Sequence, residues 1–258
     1  MLLTDLHTHT VFSHGKGTIE ENFNAAIKKG IKQLGISDHG LRHLMFNVKK
    51  RDIGVMRNEI ERLNGKGLPC KLFFGIEANI YGSEGEVDLT YNELALFDYV
   101  IAGFHKAVQP ASVSDFIDFS LNGCFRGFFN APSSYRFTNA YIKAIESGKI
   151  DIISHLNLGV KVDVEEVGKA ARDYGVLIEL NGKAVALTDD EVDKLSHIGV
   201  GFILNSDAHS PDRIGDVSKP LEVVERVKIP LSQIVNYDKT VDMDFFKNRK
   251  NINIRNRI

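Results

Sequence analysis

LLTDLHTH (Leu2–His9) runs an apolar, extended segment into two histidines two positions apart, and the rest of the chain repeats that order. In a strand, residues i and i+2 face the same way, so His7 and His9 would leave the carboxyl end of such a segment together. Six further short apolar runs follow: Gln33–Ser37, Lys71–Glu77, Asp98–Gly103, Asp151–Ser154, Val176–Leu180 and Val200–Asn205. At or just past the seven strand ends stand His7/His9, His39, Glu77, His105, His155, Asn181 and Asp207/His209.

Between these runs lie stretches with helical periodicity: Ile19–Lys29 closed by Gly30, Ile53–Leu63, Thr138–Ser147, Val164–Tyr174 closed by Gly175, and Asp189–His197. Strands alternating with helices predict a parallel α/β architecture. An open doubly wound sheet would scatter the strand-end residues along an edge, whereas a βα barrel delivers every strand end to one mouth. The expectation is therefore a distorted seven-stranded (βα)7 barrel with a metal site at the C-terminal rim of its strands. The chain reads as a single domain over residues 1–258, with one or two helices from about Leu221 and a basic, Asn-rich tail that frays.

Composition narrows the function. With 32 basic and 34 acidic residues the net charge is −2, which argues against broad capture of nucleic acid or of an anionic membrane. Two cysteines, Cys70 and Cys124, stand in neither metal-ligand nor redox spacing, as in a reduced intracellular protein. The first residues meet Asp5 and His7 too soon for a signal peptide, and no apolar run approaches the ~20 residues of a membrane span. The expected location is cytoplasmic, with association between copies left open.

A lone His-X-His is weak evidence, and any single strand-end histidine is more simply a hydrogen-bonding residue of the core. Of nine histidines, however, seven fall at or just after strand ends: His7, His9, His14, His39, His105, His155 and His209. Crowding them with two carboxylates, Glu77 and Asp207, would be costly without cations. Nine such ligands exceed one ion's needs and suit two or three, and Glu77 could bridge a pair. Ligation by His and carboxylate without cysteine is compatible with Zn, Mn or Fe. His43 and His197 are assigned no role, since neither stands at a strand end.

The motifs DLHTHT (5–10), GISDHG (35–40), GIEANI (75–80), IAGFH (101–105), IISH (152–155) and NSDAHS (205–210) together resemble, in order, the PHP-domain (polymerase and histidinol phosphatase) family, in particular its stand-alone phosphatases. The resemblance implies a trinuclear site. His7, His9, Glu77 and Asp207 would hold one divalent ion, Glu77 would bridge to a second completed by His105 and His155, and His14, His39 and His209 would hold a third. It also implies that a metal-activated hydroxide attacks a small phosphomonoester, with Glu77, Asp207 and His209 bearing on catalysis through the metals. Two features depart from the pattern: Leu156-Asn157 replaces the usual Pro-Gly after His155, and Val108–Tyr141 is longer and more aromatic.

A phosphorylated substrate calls for cations besides the metals, and Lys106, Arg213, Arg126, Arg136 and Lys183 are the candidates, each otherwise an ordinary surface charge. Glu179 and Asn181 share one face of the strand that carries no ligand and are expected to support the ligands from behind. Asp5 and Asp38 flank ligand histidines and would either orient an imidazole or cap a local turn. The competing readings are a PHP-type exonuclease, a phosphatase acting on histidinol phosphate specifically, and a non-catalytic metal-binding protein. Against the first stands the absence of surplus positive charge, and against the last stand nine filled ligand positions.

Overall fold

The structure, a computed structural model, describes residues 1–105, 107–112 and 132–246. Seven strands form one parallel sheet in sequence order: β1 (Thr4–Asp5), β2 (Gln33–Ile36), β3 (Lys71–Asn79), β4 (Tyr99–Gly103), β5 (Ile152–Ile153), β6 (Leu177–Asn181) and β7 (Phe202–Asn205). A helix follows each strand: α1 (Ile19–Lys28), α2 (Lys50–Asn64), α3 (Tyr91–Leu94), α4 (Pro132–Glu146), α5 (Val164–Tyr174), α6 (Asp189–Ile198) and α7 (Ser218–Val227). The result is a nearly closed (βα)7 barrel. Its helices start where the sequence offers caps: Thr18 with Glu21, Thr90 with Glu93 and Thr188 with Glu191 form capping boxes, and Asp163 caps α5.

The strand ladder leaves the seam between β1 and β7 open, and side chains lace it. Asn205 accepts from the Leu6 N–H (2.9 Å), and Asn236 donates to the carbonyls of Thr4 (2.8 Å) and Leu204. Only at the rim do backbones meet directly, where the His9 N–H donates to the Ala208 carbonyl (2.8 Å). The regular part of β1 is therefore much shorter than the predicted Leu2–His9, because beyond Asp5 the Leu6 N–H goes to the Asn205 side chain and those of Thr8 and His9 to the loops after β2 and β7. The short α3 lacks a recognisable sequence period, and α7 starts at Ser218, with Pro220 in its first turn, where a missing N–H costs nothing. The predicted basic tail, 247–258, lies outside the described residues.

Side chains divide the barrel interior into two storeys. Phe73, Tyr99, Ile101, Ile152, Leu177 and Ile203 fill the lower part, and Val241, Met243 and Phe246 plug it from below. Further along the same strand faces come Glu77, Asn79, Glu179, Asn181 and Asn205, all buried. A second core of Ile, Leu, Val and Phe lies between strands and helices. Tyr99 stands at the boundary between storeys, its hydroxyl donating to the Leu6 carbonyl, and Gly35 and Gly75 make room for it: a Cβ at Gly35 would run into the Tyr99 hydroxyl oxygen, and one at Gly75 into its Cζ.

This packing sets a contrast. Gly75→Ala is expected to destabilise the protein by about 1–3 kcal/mol or more through overpacking. Gly54→Ala, on the face of α2 where an added Cβ meets nothing, is expected to leave the thermal midpoint unchanged or to raise it, by helix propensity worth up to about 1 kcal/mol. Thermal denaturation of the two variants side by side checks both.

Candidate metal centre

Glu77 comes up β3 into the mouth of the barrel and is buried among five imidazoles from four other segments. Its Oε1 lies 3.2 Å from His7 Nε2, 3.2 Å from His105 Nε2 and 3.0 Å from His155 Nε2, and its Oε2 lies 2.8 Å from His39 Nδ1 and 3.5 Å from His9 Nε2. The two oxygens thus face two different sets of nitrogens. Asp207 forms a second anionic point, its Oδ1 at 3.3 Å from His9 Nε2, 3.4 Å from His209 Nδ1 and 3.7 Å from His7 Nε2. His14 completes the cluster, stacked on His39 with ring centroids 4.7 Å apart and edge-on to His209 at 4.1 Å.

All nine predicted ligands therefore converge. The ligand atoms of eight fall into three overlapping groups, each mutually within 4.8 Å: His9, His14, His39 and His209; His7, His9 and Asp207; His39, Glu77 and His105. His155 joins them through Glu77, 3.0 Å away. Buried nitrogens of His7, His9, His14, His39, His105, His155 and His209, and one oxygen of Glu77, make no hydrogen bond. Buried polar atoms in such numbers are not left unsatisfied in folded proteins, and divalent cations would satisfy them together. The donor set fits a metal.

The electrostatics agree. Burial opposes the charge on Glu77, but His105, His7 and His39 outweigh it and hold the carboxyl well below its usual range. Asp207 is depressed in the same way, against burial, by the charge of His7 and its bond to His9. Burial and neighbouring His39 push His9 well down, and burial with His209 and His39 takes His14 to about 3. Burial also disfavours charge on His7, yet Glu179, Glu77 and Asp207 overcome it and raise that imidazole. The ionised carboxylates, with His9 and His14 costly to protonate, suit metal ligation, and a cation at His7 would take the place of the proton that its carboxylates attract.

Several backbones are bent to reach this arrangement. His155 (φ 31°) and Asp207 (φ 49°) occupy the left-handed region, which His and Asp tolerate better than most side chains. The Glu179 carboxylate holds the first of these, accepting from the His155 N–H at 3.0 Å. Glu179 also meets His7 Nδ1 at 2.7 Å and accepts from Asn181 (2.8 Å) and Asn205 (2.9 Å). Asn181 in turn donates to Asp207 Oδ2 at 3.2 Å. The strand without a ligand thus carries the carboxylate that fixes one.

Asp5 and Asp38 touch no imidazole, and instead of capping their own turns they chiefly brace loops distant in sequence. Asp5 accepts from Ser206 (Oγ, 2.6 Å) and the Gly215 N–H (2.9 Å), and Asp38 from Thr10 and Ser13 in the His9–His14 loop. Among the candidate cations, Lys183 lines the cavity above the ligands. Arg213 is instead drawn to Asp216 at 2.5 Å, and neither it nor the exposed Arg136 on α4 lines that cavity. Lys106 and Arg126, like Cys124, lie outside the described residues. Asn205 went unremarked in the sequence, although its i, i+2 spacing to Asp207 was an available signal; His43, assigned no role there because it stands at no strand end, joins the cavity wall. The cavity, about 410 Å³, is walled by Phe46, Phe104, Leu158 and Ala184, and by His43 itself.

Known proteins resemble this chain in sequence and in fold. The sequence profile described as "PHP domain" matches residues 5–191. A "Probable phosphatase" of Shewanella piezotolerans is 31% identical over 91% of this chain and 89% of its own, and one of Aliivibrio fischeri is 29% identical over 95% and 93%. Among solved structures, the histidinol phosphate phosphatase of Lactococcus lactis, crystallised with zinc, L-histidinol and phosphate, superposes with a TM-score of 0.61 over 88% of this chain and 94% of its own, at 13% identity. That likeness is one of fold.

Glu179→Gln removes the charge that holds His7 while leaving all nine converging side chains in place. It is expected to weaken retention of divalent metal by roughly 10–100-fold, measured as residual Zn or Mn after dialysis against graded chelator.

Proposed function

The chain belongs to the PHP domain family, and from that premise we propose that it is a metal-dependent phosphatase hydrolysing a small phosphomonoester with three divalent transition-metal ions. The supporting observation is the gathering of seven imidazoles and two carboxylates, many with unsatisfied atoms, of which five imidazoles and both carboxylates line one cavity of about 410 Å³. That volume suits one small ester.

His7, His9, Glu77 and Asp207 would hold one ion, Glu77 with His105 and His155 a second, and His14, His39 and His209 a third. Bound there, such ions supply Lewis acidity at the phosphoryl oxygens and an activated water for in-line attack on phosphorus. Glu179 fixes the His7 tautomer, because a proton on Nδ1 bonded to the carboxylate leaves the Nε2 lone pair facing Glu77. His209 is set likewise, its Nδ1 donating to the Asp207 carbonyl at 2.9 Å and leaving Nε2 for a metal. Lys183 gives the dianionic phosphate a cation at the cavity wall. Glu77, Asp207 and His209 carry the chemistry indirectly, by holding the ions where the water and the ester meet.

The nuclease reading ranks lower because a net charge of −2 lends a polyanion little long-range attraction. The protein loaded with Mn²⁺ or Zn²⁺ is expected to bind two to three equivalents of metal by elemental analysis and to release phosphate from small phosphomonoesters. It is expected to shorten single-stranded oligonucleotides poorly. Efficient oligonucleotide degradation with negligible phosphate release would reverse the ranking.

Glu77→Gln should cut phosphatase turnover by at least about 100-fold, since even partners of ligands are worth roughly 10–100-fold. His197→Ala, on the exposed end of α6, should leave it unchanged. Equal turnover by the two variants would overturn the site assignment.

A further inference from the structure

His43 lies in the loop after β2, stacked on His39 with centroids 4.9 Å apart, 6.0 Å from the His105 ring and beside Phe46. It lines the same cavity as the ligands. Its polarity is opposite to that of His7 and His209. In His7 and His209 the Nδ1 proton is donated to an oxygen, and Nε2 keeps a lone pair that can ligate. In His43, Nδ1 accepts, from the N–H of Phe46 at 3.1 Å and of Met45 at 3.4 Å. A neutral imidazole whose Nδ1 accepts must carry its proton on Nε2. His43 therefore lacks the lone pair that would make it a tenth ligand, and its remaining ring nitrogen is a hydrogen-bond donor.

The ring is also held in place. The Arg42 N–H donates to Asp88 (2.9 Å), the Leu44 N–H donates to the Ala107 carbonyl (2.8 Å), and His43 pairs with Val108 across an antiparallel bridge. The side chain is thus braced by its own turn, by His39 and by the loop after β4. A donor fixed at the wall of a cavity floored by metal ligands is suited to an oxygen that enters with the substrate.

Building on the phosphatase reading above, we propose that His43 is a substrate-binding residue whose Nε2–H donates to an oxygen of the bound phosphoryl group. The bland alternative is that His43 merely caps its turn through Nδ1. Two substitutions separate the roles, because Asn places an acceptor near the position of Nδ1 and Gln places an N–H near the position of Nε2. His43→Asn keeps the cap and loses the cavity donor, whereas His43→Gln loses the cap and restores the donor.

The measurements are metal content, thermal midpoint, affinity for inorganic phosphate by calorimetry, and turnover of p-nitrophenyl phosphate, all on Mn²⁺-loaded protein. His43→Asn is expected to keep its metal and its midpoint, to bind phosphate roughly 10–100-fold more weakly, as for loss of one hydrogen bond to a charged acceptor, and to lose kcat/KM in parallel. His43→Gln is expected to bind phosphate more tightly than His43→Asn even if it melts lower. Wild-type phosphate affinity in His43→Asn, no recovery in His43→Gln, or loss of metal from both variants would overturn the proposal. Phosphate binding by the wild type that follows this pattern, with no phosphomonoester turnover, would overturn the phosphatase reading and leave His43 as a phosphate donor. A wild type that binds no phosphate would overturn both.

Discussion

The burial of the Glu77 carboxylate against five imidazoles governs the upper half of this barrel. A carboxylate that far from water is unfavourable unless positive charge or strong donors meet both of its oxygens. Here Oε1 faces His7, His105 and His155 while Oε2 faces His9 and His39, so neither oxygen is left to solvent. Those histidines come from β1, β2, β4 and β5 or the loops after them, and the strands must close around Glu77 for the rings to reach it. The closure of the barrel and the assembly of the centre are one event.

The lower half supplies the rigidity. Tyr99 stands between the apolar floor and the polar mouth, Gly75 making room for its ring and Gly35 for its hydroxyl. Below it, the C-terminal residues Val241, Met243 and Phe246 seal the barrel. This apolar base offsets an upper storey in which many groups are polar and buried. It also explains how asparagine side chains can replace a backbone ladder between β1 and β7: the seam is held from beneath by packing and at the rim by direct backbone bonds, and side chains lace the stretch between.

Within the mouth, hydrogen-bond polarity assigns the imidazoles their places. Glu179 and the Asp207 carbonyl accept from Nδ1 of His7 and His209 and so leave Nε2 free to ligate, whereas the backbone N–H groups of Met45 and Phe46 donate to His43 and reverse its ring. Identical side chains a few ångströms apart acquire different chemistry from the partner behind them.

The division between what was legible in the sequence and what was not follows from range. Strand and helix periods are local, so the alternation of elements, the parallel barrel and the gathering of His7, His9, His39, Glu77, His105, His155, Asp207 and His209 at one rim could be read directly. The same period-two rule put Glu179 and Asn181 on the inward face of the one strand without a ligand. Partners beyond the strand are not local: His7 and Glu179 are 172 residues apart, and Asp5 and Ser206 are 201 apart. Only the folded barrel shows that Asp5 and Asp38 brace loops rather than rings, that Arg213 turns to Asp216, and that His43 joins the cavity wall. A side chain's facing is set by its neighbours in sequence, whereas the atom it bonds to is set by the closure of the whole sheet.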